Sequence, residues 1–332
     1  MIETQDIAPL IKRVARGKHG SEHLNQDESR FVFSELLKPD ADLLQLGAFL
    51  IAQRMKGETS AELVGFIQAA RDHIPHFGMT TTMQGAVDLP CYAGKRRAAH
   101  AYLAAALQCR DAGIPIFVHG VEHIEGRITA WQILQKQGVQ RANSLIEAQN
   151  IMQHDGLVYM DLAEISPNLH RIYQLRPRLG VRSFANTVAR LLNPMQCEGQ
   201  LNGFFHTPYA NYMAEANILL GQTRSLIFMG AEGEPELYAD RQKVVKMQVG
   251  NDISDIHFED CGHTPYPRTG KEPLHDLFEE FNGFLLKYEE SRELSTLQRM
   301  KSAFLWASGK DDLKNKCSLI RNKPKSIEFN PR

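Results

Sequence analysis

The chain has 332 residues, of which 43% are hydrophobic, 23% charged and 8% aromatic, and its formal net charge is −1. This composition is typical of a folded globular protein with room for two domains, and it excludes an intrinsically disordered chain. The near-neutral charge excludes a chain that is basic throughout, so any contact with nucleic acid must depend on local clusters of basic residues.

Cysteine usage and hydropathy indicate the compartment. The five cysteines are an odd number and none of them forms a CxxC pair, which argues against a disulfide framework or a zinc ribbon and favours a reducing compartment. No run of 18 apolar residues occurs, and the first residues are polar and amphipathic rather than signal-like. We therefore expect a cytoplasmic protein without a membrane segment.

Residues 1–75 read as four short helices. Apolar residues recur at helical spacing, and breaks fall at Gly17, at Pro39-Asp40 and at the turn 56–59. Thr59 and Glu62 have the spacing of a capping box at the start of the fourth helix. We expect a helical domain over residues 1–75 that serves as a dimer face, with part of 161–190 packing nearby.

Strands alternate with helices over residues 76–330, which predicts an α/β domain with a mostly parallel central sheet. Its central unit is Val87–His123, which reads as a strand (87–89), a breaker-rich loop (90–94), a helix (98–110) and a second strand (114–118). The loop directs its amides, and the helix its N-terminus, toward whatever binds there, and both favour anions.

Two stretches concentrate basic residues around this unit. The loop is followed by Lys95, Arg96 and Arg97, and residues 165–197 contain no acidic residue. The arginines of that second stretch are Arg171, Arg176, Arg178, Arg182 and Arg190. Solvated surface side chains are one interpretation, and contacts to phosphate groups are the other. At helical pitch Arg171, Arg178 and Arg182 would share one face, although Pro177 weakens that argument.

Two long motifs resemble signatures of the anthranilate phosphoribosyltransferase (TrpD) superfamily. Leu46–Gly65 is similar to the helical-domain signature, and Arg176–Pro194 is similar to the second signature. The resemblance implies a helical domain plus an α/β domain of the nucleoside phosphorylase and phosphoribosyltransferase type, in a homodimer joined through the helical domain. It also implies that Arg176 matches an arginine that contacts anthranilate in that family.

The family's ligand motifs are degenerate in this chain. The diphosphate loop GTGGD falls on Cys91–Lys95, where one glycine remains and the aspartate becomes Lys95, and the KHGNR motif falls on Val118–Glu122. The degenerate diphosphate site therefore consists of Tyr92, Gly94, His119 and Gly120. The hydroxyl-bearing NxST segment falls on Ala101–Ala104, and the magnesium-binding DE pair falls on Pro235-Glu236. Weak Mg²⁺ binding by Glu232, Glu234 and Glu236 stays open.

A divergent TrpD-like branch, the YbiB type, resembles this chain in three further places. These are the turn Lys56-Gly57-Glu58, the turn Val118–Val121 and the loop Pro90–Gly94. The resemblance implies binding of DNA and RNA without sequence preference.

We therefore expect a homodimer that binds nucleic acid, without catalytic residues, metal or cofactor. The phosphate contacts are Lys95, Arg96, Arg97, Arg171, Arg176, Arg178 and Arg182, and Tyr92 is the best candidate for base stacking. The alternative is a phosphoribosyltransferase that works through an altered phosphate site and needs Mg²⁺. A third interpretation is a scaffold for another ligand. The role of the basic C-terminal tail stays open.

Overall fold

The computed structural model describes residues 6–17, 19–78, 83–204, 209–286, 291–310, 313 and 318–320. The helices are α1 (Ala8–Val14), α2 (Gln26–Leu37), α3 (Leu43–Lys56), α4 (Ser60–Asp72), α5 (Ala101–Asp111), α6 (Ala130–Lys136), α7 (Leu145–Asp155), α8 (Leu162–Ile165), α9 (Pro167–Tyr173), α10 (Arg176–Leu179), α11 (Ala185–Arg190), α12 (Tyr209–Leu219), α13 (Asp276–Leu286) and α14 (Arg292–Ala307). The strands are β1 (Val87–Cys91), β2 (Ile116–Gly120), β3 (Arg141–Ala142), β4 (Leu157–Asp161), β5 (Gly199–Phe204), β6 (Arg224–Met229), β7 (Lys243–Val249), β8 (Asp252–Phe258) and β9 (Ser318–Ile320). None of the described helices is both long and apolar enough to cross a membrane.

The described strands form one sheet in the order β3-β4-β2-β1-β5-β6-β7-β8-β9. The first six in that order run parallel to their neighbours. The last three are each antiparallel to the strand before them. The predicted fold class, a helical domain and an α/β domain with a mostly parallel central sheet, is confirmed.

The central unit is shifted slightly from its predicted bounds. β1 runs through Pro90 to Cys91 because it is a parallel neighbour of β2, where Pro90 lies opposite His119. The helix starts at Ala101 rather than at residue 98, since Ala98 and Ala99 remain in the loop. The loop is thus longer at its helical end than the sequence predicts.

The helical domain has an aromatic core that includes a residue from far along the chain. Phe33, Phe49 and Phe66 of α2, α3 and α4 are fully buried, and Phe184 lies among them. Phe184 stacks on Phe66 at a centroid distance of 4.2 Å and meets Phe33 edge-on at 5.0 Å. The segment that leads into α11 is therefore anchored in the helical bundle.

Glu62 links three parts of this bundle. Its buried carboxylate accepts hydrogen bonds from Lys56 Nζ at 2.7 Å and from the N–H groups of Leu24 and Thr59, both at 3.0 Å. The predicted capping box between Thr59 and Glu62 is confirmed. Burial raises the pKa of Glu62, but the hydrogen bonds from Lys56 and the two amides outweigh it and lower the pKa overall.

We expect Glu62→Gln to lower the free energy of unfolding by about 3 kcal/mol at neutral pH, because the substitution leaves the buried Lys56 without its anion. The folded pKa of Glu62 lies below its unfolded value of about 4.3. The carboxylate therefore contributes stability above that value, and the contribution is lost as the pH falls through the folded pKa. Urea unfolding of both proteins from neutral pH to about pH 3 should show the difference shrinking.

The matched control is Glu22→Gln. Glu22 pairs with Arg13 and Arg16, and its side chain is 48% exposed. Its replacement should cost less than about 1 kcal/mol. A difference between Glu62→Gln and the wild type that stayed constant with pH would show that the carboxylate charge is not what stabilises the bundle.

Candidate functional site

Carboxylates of this chain bind the amides of the loop between β1 and α5. The N–H groups of Ala93 and Gly94 both donate to Oε1 of Glu234, and the hydrogen bond from Ala93 is 2.9 Å long. Gly94 has a φ of +61°, and this turn directs successive amides to one side. Glu234 is fully buried, so the inward-facing amides of the loop have an internal partner.

Two neighbouring glutamates continue the pattern. The N–H groups of Arg96 and Arg97 donate to the carboxylate oxygens of Glu232 at 3.1 and 3.0 Å. At the start of α5, the N–H of Tyr102 donates to Oε2 of Glu236 at 3.0 Å. We call the stretch 232–236, which supplies all three carboxylates, the glutamate segment.

Lys95 is not a surface residue. Its side chain is 0% exposed and forms an ion pair with Glu236, which is also fully buried, and its Nζ donates to the carbonyl of Ala99 at 2.7 Å. The prediction that Lys95 contacts phosphate on an accessible patch is wrong, because the loop turns this cation inward toward a carboxylate from the glutamate segment.

The glutamate segment occupies the donors that an external anion would need. Burial raises the pKa of Glu234 and of Glu236, and the loop amides and Lys95 act in the opposite direction. Mg²⁺ needs several free oxygen ligands in near-octahedral geometry, whereas these carboxylates already accept hydrogen bonds and leave one oxygen, Oε2 of Glu234, buried without a partner among the described residues. The residues therefore do not fit an Mg²⁺ site, and no group of three His, Cys, Asp or Glu suited to a metal occurs in the described part of the chain.

The residues of the degenerate diphosphate site lie at the ends of β1 and β2, and they are structural. Tyr92 is 2% exposed, and its hydroxyl lies 2.7 Å from Nδ1 of His119. Nε2 of His119 lies 3.2 Å from the carboxylate of Asp88. A Cβ at Gly120 would overlap the carbonyl of Cys91. The prediction that Tyr92 stacks on bases is wrong, because burial closes its ring to a ligand.

Four arginines converge beside this loop. Burial lowers the pKa of Arg127; the carboxylates of Glu232 and Glu234 act against this, and the charges of Arg96 and Arg176 lower the pKa further. Burial likewise lowers the pKa of Arg182, with Arg176 and Arg190 as the next causes and Arg127 as a smaller one. Like charges shift one another's pKa in this way only when they are close. We call Arg96, Arg127, Arg176 and Arg182 the arginine cluster.

The remaining predicted phosphate contacts, Arg97, Arg171 and Arg178, are not members of the arginine cluster. Arg171 donates to the carbonyl of Lys38 at 2.7 Å and so caps the end of α2, which corrects its assignment to the basic face. Arg171, Arg178 and Arg182 do not share a helix, because α9 ends at Tyr173 and α10 at Leu179. The side chain of Arg178 is exposed, and that of Arg97 is half-buried.

Sequence reasoning missed Arg127 as a member of the arginine cluster. Arg127 lies in the connection between β2 and α6, where no basic run or motif marks it. Its Nη1 donates to the carbonyl of Gly94 at 2.8 Å and lies 3.8 Å from Glu232. The reciprocal backbone hydrogen bonds between Lys95 and Ile128 place it there, and this pairing could only be found from the fold.

We expect Lys95→Met to lower the free energy of unfolding by about 3–5 kcal/mol, because it leaves the buried Glu236 carboxylate uncompensated. The double variant Lys95→Met/Glu236→Gln should recover part of the loss, since it removes both charges. Urea unfolding of the two single variants, the double variant and the wild type measures the coupling between the residues.

Arg96→Met is the control, because Arg96 is the neighbouring cation and is exposed. Its effect on the free energy of unfolding should stay within about 0.5 kcal/mol. Equal effects at residues 95 and 96 would contradict the buried ion pair.

Comparisons with known proteins are consistent with this architecture. The model of the glycosyl transferase family helical bundle domain matches residues 8–74. The Escherichia coli (strain K12) protein YbiB is 30% identical over 72% of this chain and 74% of its own length. An anthranilate phosphoribosyltransferase of Gluconobacter oxydans is 28% identical over 70% of this chain and 63% of its own length. The crystal structure of anthranilate phosphoribosyltransferase from Thermus thermophilus superimposes with a TM-score of 0.71 at 21% identity, covering 92% of this chain and 91% of that one. The chain belongs to the TrpD superfamily, in its YbiB-type branch.

Proposed function

We propose that this protein binds nucleic acid without sequence preference, through contacts to phosphate groups. The observation that carries the proposal is the arginine cluster, in which Arg127 and Arg182 are desolvated and lie within range of further guanidinium groups. Holding like charges together is unfavourable; Glu232, 3.8 Å from Arg127, offsets part of the repulsion, and an external anion would relieve the rest. A guanidinium group binds phosphate through two parallel hydrogen bonds, so a row of them suits a sugar-phosphate backbone.

The charge around the cluster also favours a polymeric ligand. Arg96 and Arg176 are exposed, whereas Arg127 and Arg182 are half-buried, so the positive charge extends from solvent into the molecule. A chain of phosphates can contact several such groups at once and release counterions from each. Phosphate contacts carry no information about base sequence, which accounts for the proposed lack of sequence preference.

A transferase function is the alternative, because proteins named anthranilate phosphoribosyltransferase are among the relatives. The contacts of the glutamate segment argue against it. A diphosphate would have to displace Glu234 from the amides of Ala93 and Gly94, and Glu236 from Lys95 and Tyr102. These displacements would leave buried charges unpaired. Binding therefore accounts for the site better than phosphoribosyl transfer does.

We also propose that the protein forms a homodimer through the helical domain. α3 presents Leu43, Leu44 and Met55 to solvent, exposed by 59%, 82% and 82%. With parts of α1, this face borders a groove of about 890 Å³ with a mostly apolar lining. An exposed apolar surface of this kind is typical of an interface between proteins. A second copy of the chain is the proposed partner, and two arginine clusters would then act on one nucleic acid.

The cytoplasm is the proposed compartment. The four described cysteines, at positions 91, 109, 197 and 261, are unpaired thiols. Burial raises the pKa of Cys91, Cys109 and Cys197, so these thiols are kept protonated and unreactive. Free thiols are typical of a reducing compartment.

We expect the wild-type protein to bind a labelled generic oligonucleotide at low salt and to bind it more weakly as salt rises. On duplex, log K should fall with a slope of roughly −0.9 per phosphate contact. Arg96→Glu/Arg176→Glu should weaken binding at least about tenfold and flatten the slope, because two contacts become repulsive. Fluorescence anisotropy over a salt series measures both effects.

Lys12→Glu makes a charge reversal at an exposed residue of α1 that is not a member of the arginine cluster, and it should leave affinity nearly unchanged. Failure of the wild-type protein to bind at low salt would refute the proposal. A rise in Tm with phosphoribosyl diphosphate and Mg²⁺ would instead favour the transferase alternative, since a ligand stabilises the state that it binds.

Leu44→Glu should convert the protein to a monomer, because it places a charge on the apolar face of α3. Sedimentation velocity at micromolar concentration measures the change. Ile146→Glu on α7 is the control, since Ile146 is 48% exposed but lies outside that face. A wild-type protein that sediments as a monomer would disprove the dimer, and so would a Leu44→Glu variant that remains dimeric.

A further inference from the structure

A second cavity lies between the helical domain and the sheet. Its volume is about 360 Å³, which is in the range of small-ligand sites. The end of α3, the stretch 181–190 and the start of α12 line it. No residue of the glutamate segment lines this cavity. The cavity and the groove on α3 share no lining residue, although α3 contributes residues to both.

Among the described residues, the lining combines cations with neutral groups and includes no carboxylate. The cations are Arg54, Arg182 and Arg190. The neutral polar side chains are Ser183, Asn186, Thr187 and Tyr209, and the apolar ones are Val181, Phe204 and Met213. Such a mixture fits a ligand that is anionic at one end and flat and weakly polar at the other.

Tyr209 is held as a neutral phenol on one wall. Its hydroxyl lies 3.2 Å from Oε2 of Glu58. Burial and the Glu58 carboxylate raise the pKa of Tyr209 to about 12, against the charge of Arg54. The hydroxyl group of Tyr209 is therefore protonated at neutral pH, and the side chain is uncharged. An aromatic ring in a cavity is the usual platform for an unstacked base.

Arg190 forms the wall nearest the degenerate diphosphate site. Its Nη1 donates to the carbonyl of Asn186 at 2.7 Å, and its Cζ lies 5.9 Å from the ring centroid of Tyr92. Its Nε is buried without a hydrogen-bond partner among the described residues. A buried guanidinium donor without a partner is costly, and Arg190 is one of the residues that line the cavity.

We propose that this cavity receives one unpaired nucleotide of a bound single strand, with its base between the aromatic and polar walls and its phosphate on Arg182. The proposal rests on the proposed nucleic-acid binding and deepens it. Arg182 belongs to both the cavity and the arginine cluster, so a strand that follows the cluster passes the cavity. Bases in a duplex are stacked and paired, and turning one out costs a few kcal/mol. The protein therefore binds single strands more tightly than duplex of equal length.

The test compares two single-stranded ligands of equal charge on the full-length wild-type protein. One is a 12-residue oligothymidylate, and the other is the same sugar-phosphate chain with every base removed. Anisotropy should show about tenfold tighter binding of the oligothymidylate, because only that ligand can stack a base in the cavity. A 12-base-pair duplex should bind more weakly than the oligothymidylate at the same salt concentration.

Ser183→Trp locates the effect, since it fills the cavity without removing a cation. It should reduce the oligothymidylate's advantage to less than about twofold and leave binding of the base-free chain unchanged. Thr187→Trp is a second filling variant in case the first does not fold. Gln174→Trp adds the same side chain at an exposed residue of the neighbouring segment, outside the cavity, and should keep the full preference.

The outcomes separate the two proposals. If neither ligand binds at low salt, the proposed function fails. If both bind equally well, phosphate binding stands and the nucleotide site is refuted. If the preference persists in both filling variants, the base is held elsewhere and the cavity has no part in it. Displacement of the oligothymidylate by micromolar thymidine monophosphate would identify a site for free nucleotides and would overturn the strand proposal.

Discussion

The bonds between the glutamate segment and the β1–α5 loop are the constraint on which the site depends. A parallel strand that leads into a helix leaves several amides pointing to one place, and buried amides require acceptors. Here Glu232, Glu234 and Glu236 supply those acceptors from within the chain. The loop is therefore complete without a ligand, and its conformation fixes the backbone of Arg96 and the pairing that carries Arg127. Because Lys95 is neutralised inside the protein by Glu236, the exposed positive charge of this loop comes from Arg96.

Hydrophobic periodicity and capping residues predicted the helices and strands, because both act over short stretches of chain, and the two long motifs resembled those of a known family. The capping box at Thr59 and the order of strands and helices are of this kind. Whether an individual charged side chain is buried or exposed was not predictable in the same way. Lys95 and Arg96 are adjacent and similar, yet one is buried against Glu236 and the other is exposed. The partner of Lys95 lies 141 residues away in the chain, and no local sequence pattern indicates a pairing over that separation.

Arg171 and Arg176 also have different environments that the sequence did not predict, although both lie in the stretch without acidic residues. The absence of acidic residues suggested a common basic face, but backbone carbonyls also accept hydrogen bonds from arginine. Arg171 uses that option at the end of α2. Phe184, which follows these arginines, stacks on Phe66 inside the helical domain. The stretch is thus attached to the helical domain at both of these residues.

The antiparallel end of the sheet has a consequence for handling the protein. β9 pairs with β8 through Ser318, Leu319 and Ile320, so the described chain covers an edge that would otherwise present free backbone donors and acceptors. Open edges of this kind recruit strands from other molecules and promote aggregation. The three residues of β9 thus cover part of this edge. A version of the protein shortened before residue 318 would lose this cover while keeping every residue of the arginine cluster.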